Sequence, residues 1–138
     1  MTTNEASIRR SVVAVIAGFL ATAVLSLGTD VVLHALHVFP PWGEPMSNRL
    51  FVWATIYRVA FTVLGGFITA RIAPRKPMTH VLALGIIGIF AATAGLAATW
   101  NRGPEFGPKW YPILLVVTAL PCVWIGGQFG ARQQALES

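Results

Sequence analysis

Residues 11–38 read SVVAVIAGFLATAVLSLGTDVVLHALHV, and this stretch decides the fold class. Its apolar side chains run on without the alternation of a half-buried strand. They also run longer than the roughly 20 residues a helix needs to cross a hydrocarbon core of about 30 Å. Three more stretches, at about 50–70, 78–100 and 110–131, have the same character. Lipid supplies no hydrogen-bond partners, so a spanning segment must satisfy its own backbone, as a helix does. The expected fold is all-α: a polytopic membrane protein whose residues 1–138 form a single integral membrane domain of four transmembrane helices in a bundle.

Composition agrees. Of 138 residues, 55% are hydrophobic and 11% charged, against about 25% charged in an ordinary soluble domain. The net charge of +5 does not read as a nucleic-acid footprint, because the basic residues fall between the apolar runs instead of clustering with aromatics. They orient the bundle. Arg9, Arg10, Arg71, Arg75, Lys76 and Arg132 lie on one side, and Arg49, Arg102 and Lys109 on the other, which predicts both termini in the cytoplasm. The opposite side gathers Phe39, Trp42, Phe51, Trp53, Trp100, Trp110 and Tyr111 as an aromatic belt. Ala21-Thr22-Ala23 has the look of a signal-peptide cleavage site, but the apolar run continues past it, so the first span is expected to be retained. Cys122, the one cysteine, offers no disulfide and no cysteine-rich metal site.

Small residues at helical spacing mark the expected packing faces: Gly18 in the first span, Gly65 and Gly66 in the second, Gly88 and Gly95 in the third, Gly126 and Gly127 in the fourth. Between apolar helices in lipid, close backbone approach and Ser or Thr hydrogen bonds supply the attraction. Pro121 should kink the fourth span. Gly65-Gly66 and Gly126-Gly127 are each followed by Ala-Arg four and five residues on, and the same offset carries Glu44 onto Glu105, the pattern of two hairpins in parallel repeat.

Asp30 and Arg58 do not belong to the hydrophobic pattern. Each costs about 2.5 to 3.5 kcal/mol at a helix centre when unpaired, so an intramembrane ion pair between them is expected. That pair reads first as a structural clasp and second as a functional site. His34 and His37 share the face of Asp30, and the three offer imidazole and carboxylate to a divalent metal or a proton. Haem is disfavoured, because His80 lies at the other end of the bundle. A phosphate loop, a nucleophile elbow and a second carboxylate near Asp30 are all lacking, so no catalytic residue and no cofactor beyond that metal is expected.

Ser26-Leu27-Gly28-Thr29-Asp30, Phe39-Pro40-Pro41-Trp42-Gly43, Tyr57-Arg58 and the loop from Trp100-Asn101 to Trp110-Tyr111-Pro112 resemble a family of small four-span bacterial inner-membrane proteins. The resemblance covers most of the chain and implies a bacterial cytoplasmic (inner) membrane location. The family has no assigned activity, so nothing about substrate or cofactor follows. The small multidrug transporters share the size, but their glutamate in the middle of the first helix has no counterpart in Gly18-Phe19-Leu20-Ala21-Thr22.

Function is therefore expected to be that of a non-enzymatic structural or accessory subunit. Its partners would be the lipid bilayer and a second copy or another membrane protein. A small transporter or channel with a polar pathway past Asp30, His34 and Arg58 is the alternative, and an outer-facing divalent metal site the second.

Overall fold

The computed structural model describes residues 2–137, which form four long helices: α1 (Thr3–Ala35), α2 (Asn48–Ile72), α3 (Pro77–Thr99) and α4 (Trp110–Glu137), with a short 3-10 turn at Pro104–Phe106. All four are long and apolar enough to cross a membrane.

Helix α1 starts well before Ser11 because Thr2 and Glu5 form a capping box. The Thr2 hydroxyl accepts from Glu5 N at 3.2 Å, and the Glu5 carboxylate accepts from Thr2 N at 2.9 Å, which satisfies two otherwise orphaned amides. It ends before Val38 in a Schellman turn: His37 N donates to His34 O at 3.1 Å and Val38 N to Leu33 O at 3.0 Å. His37 occupies the left-handed position, with φ 60°, where glycine is the usual occupant. Helix α2 starts at the Ser47 cap and ends at Ile72 ahead of Pro74. Helix α3 has Pro77 in its first turn, and α4 continues through Pro121.

The C-terminal carbonyls of α2 are satisfied by side chains from its neighbours. Arg10 Nε donates to Ile72 O at 2.6 Å, and Gln134 Nε2 donates to Ala73 O at 2.8 Å and Arg71 O at 3.3 Å. These bonds gather the start of α1 and the ends of α2 and α4 at one end of the bundle.

Helix α2 is the hub, packed on α4 and α1, while α3 lies mainly on α4. Small residues set these approaches. A Cβ on Gly18 would lie 2.7 Å from Gly65 O, and one on Gly65 would lie 2.8 Å from Gly18 O, so α1 and α2 meet backbone to backbone. Thr69 crosses the same interface, donating to Ala14 O at 2.9 Å, and Thr22 donates to Phe61 O at 3.2 Å. Between α2 and α4, a Cβ on Gly66 would lie 2.7 Å from Val123 Cα, and one on Gly126 would lie 2.7 Å from Val63 C. Gly127 faces Val81 of α3. Ala70, Val81, Leu84 and Val123 form the buried cluster where α2, α3 and α4 converge.

Two expected packing glycines behave otherwise. A Cβ on Gly88 would make only ordinary contact with Ala119, at 3.8 Å, and one on Gly95 would meet nothing within 4 Å among the described residues. Gly85, one turn earlier, is the close-approach residue of α3, filled by Leu120 and Val123. The 61-residue repeat is likewise not a repeat of packing roles. Gly65 faces α1 and Gly66 faces α4, whereas Gly126 faces α2 and Gly127 faces α3.

Candidate functional site

Asp30 lies on the penultimate turn of α1, and its carboxylate is held from α2. Tyr57 Oη donates to Oδ1 and Arg58 Nη2 donates to Oδ2. Consecutive helix positions point about 100° apart, so Tyr57 and Arg58 reach the two oxygens from different sides. Side-chain exposure is 15% for Asp30 and 24% for Arg58. The pair is thus largely withdrawn from the surface, and Arg58 Nε is buried with no acceptor among the described residues.

The two residues are not at equal distances from their helix ends. Asp30 stands five residues before Ala35 and Arg58 ten after Asn48, and the long guanidinium stem covers the difference.

His34, one turn beyond Asp30, donates from Nδ1 to the Asp30 carbonyl oxygen at 2.7 Å. Its ring stacks on Trp42, with centroids 3.6 Å apart and planes 7° from parallel, and meets the edge of Phe39 at 5.3 Å. These contacts fold the loop between α1 and α2 back over the pair. Phe39 and Phe51 are consequently buried, at 3% and 6% exposure, instead of standing in an aromatic belt, whereas Trp42 and Trp53 are exposed. Gly107, at φ 88°, holds the second loop against the Phe51 ring. Beneath both loops is a cavity of about 200 Å³, with Asp30, His34, Arg58, Trp42, Glu105 and Tyr111 in its wall.

The expected three-ligand metal set does not assemble. Among the described residues no group of three His, Cys, Asp or Glu is placed to hold a metal ion. Asp30 has both oxygens engaged by Tyr57 and Arg58, and His37 lies past the helix end, exposed, in the capping turn. His80 interacts with Lys76 O at the opposite end, and the thiol of Cys122 is buried within the bundle. Of the loop charges, Lys109 Nζ sits 4.3 Å above the Trp100 ring.

A second cavity, of about 460 Å³, lies among all four helices, in the half of the bundle beyond the approach of Gly18 to Leu84. Its wall is mostly apolar and shaped by small residues, including Ala23, Gly88, Ala92 and Ala119, and it also contains Ser26 and Arg58. Arg58 is common to both cavities. Sequence reasoning missed Tyr57 as the second partner of Asp30, although its position next to Arg58 was a signal.

Compared with protein-family models, curated proteins and solved structures, the chain matches none.

Proposed function

We propose that this chain is a small, non-enzymatic, multi-pass protein of the bacterial cytoplasmic membrane that self-associates or joins a larger membrane assembly. Its resemblance to small four-span inner-membrane proteins belongs to the same proposal. The basic residues favour both termini in the cytoplasm, because Arg9, Arg10, Arg71, Arg75, Lys76 and Arg132 stand toward the bundle end where the α1, α2 and α4 termini gather. Membrane placement draws support from the outward apolar surface: in no candidate span is more than 33% of the most apolar window buried.

The observation that carries the assembly reading is the outer half of α3. Phe90 is 73% exposed, and among the described residues nothing lies within 4 Å of where a side chain on Gly95 would be, so this part of α3 leaves a small residue open to close packing by another helix. The engaged carboxylate of Asp30 favours a clasp over a reactive acid. Purification in mild detergent, with the particle mass measured and co-purifying proteins identified, tests this. The expected result is a protein mass above the 14.8 kDa of one chain, reduced by Gly95→Leu. A lone monomer in wild type would end the assembly reading.

A second reading, a transport pathway past Asp30, His34 and Arg58, is favoured by the position of Arg58 between the two cavities. It predicts that Asp30→Asn leaves a folded protein but abolishes ion or proton flux in liposomes. Unchanged flux would remove it.

A further inference from the structure

We propose that the four-helix cavity is a binding site for an uncharged, carbonyl-bearing lipid: a molecule with an apolar chain and a ketone, quinone or ester oxygen, and no ionic headgroup. The volume of about 460 Å³ falls in the range of small-molecule sites, which combine apolar walls with a few placed polar groups. Two polar side chains in this wall point to the ligand. Ser26 is only 4% exposed, and among the described residues its hydroxyl makes no hydrogen bond, unlike Thr22 and Thr62, which donate to carbonyls. Ser26 lines the cavity, and a serine hydroxyl left unpaired there can donate to a ligand that fills it. Arg58 adds donors and no acceptor, so the complementary ligand group is an acceptor.

Charge and depth narrow the class. Asp30 already neutralises Arg58, and a ligand carboxylate or phosphate would place a second anion beside that acid. Ser26 precedes the end of α1 at Ala35 by nine residues, which is about 13 Å of helix. An ionic headgroup stays at the interface, whereas a neutral carbonyl reaches this depth at little cost. Small residues such as Ala92 and Gly88 leave room for the chain. The inference rests on the membrane placement proposed above and is independent of self-association.

The test is photo-crosslinking of the full chain, purified in mild detergent, with a long-chain ketone bearing a diazirine on its alkyl chain. Labelled residues are mapped by mass spectrometry. The proposal expects saturable labelling at Ala92 and Leu115. An isoprenoid quinone or diacylglycerol should compete, and the stronger competitor identifies the source. Ser26→Ala should weaken the apparent affinity about fivefold, the equivalent of one neutral hydrogen bond. Ala92→Phe should abolish labelling by filling the cavity, and Thr118→Leu on the opposite wall serves if that variant does not fold. Labelling unchanged in a folded cavity-filled variant would overturn the proposal, as would equal competition by a plain hydrocarbon or a phospholipid. Recovery of the protein in alkali-washed membranes shows whether such a failure belongs to the site alone or to the membrane placement.

Discussion

Removing either member of the Asp30–Arg58 pair should destabilise the bundle, and the two losses should differ. Breaking a buried ion pair costs about 3 to 5 kcal/mol, because a charge is left without its partner. Exposures of 15% and 24% place this pair toward the lower end, at about 3 kcal/mol, a shift of about two orders of magnitude in the ratio of folded to unfolded protein. Arg58→Met leaves a carboxylate that can take up a proton and still accept from Tyr57, whereas Asp30→Asn leaves a guanidinium that cannot lose its charge. Asp30→Asn should therefore cost more than Arg58→Met. The double variant holds no unpaired ion and should cost less than the sum of the singles by about 2 to 3 kcal/mol. Reversible unfolding in mixed micelles, followed by helical circular dichroism, reads all four corners of the cycle. The charge swap Asp30→Arg with Arg58→Asp should recover part of the loss. Additive single costs, or an Asp30→Asn variant as stable as wild type, would refute the clasp.

Other substitutions test the packing. Gly126→Ala sets a methyl against the Val63 backbone carbonyl and should lower stability by about 1 to 3 kcal/mol, while Gly95→Ala, in open space, should raise it by about 0.5 to 1 kcal/mol; thermal unfolding of both in one detergent makes the comparison. His37→Gly relieves the left-handed strain at φ 60° and should stabilise by up to about 1 kcal/mol, whereas His37→Val should destabilise, both read from the unfolding midpoint. Thr69→Val removes the fully buried donor to Ala14 O at a cost of about 1 kcal/mol, seen as a lower unfolding midpoint without a change in the oligomer.

Much of the architecture is written in residue type alone. Four apolar runs separated by Pro and Gly specify four helices, because lipid-compatible segments have few other ways to satisfy a backbone. The ends were less legible. The start of α1 depends on the Thr2–Glu5 box, a local signal outside the apolar run, and its stop depends on a histidine in a glycine position. The pairing of Asp30 with Arg58 follows from the energy of isolated ions, so residue types sufficed to anticipate it. Tyr57 required the rotation of its helix about its axis, which is set by which glycines lie deepest. Gly85 and Gly95 illustrate this: they read alike in sequence, yet one is filled by Leu120 and the other faces outward.

The central claim is that these four helices lie in a bilayer. Extraction of expressed membranes at high pH tests it most directly. The account predicts that the protein stays in the pellet and is released only by detergent, and monodisperse recovery from the aqueous supernatant would contradict it.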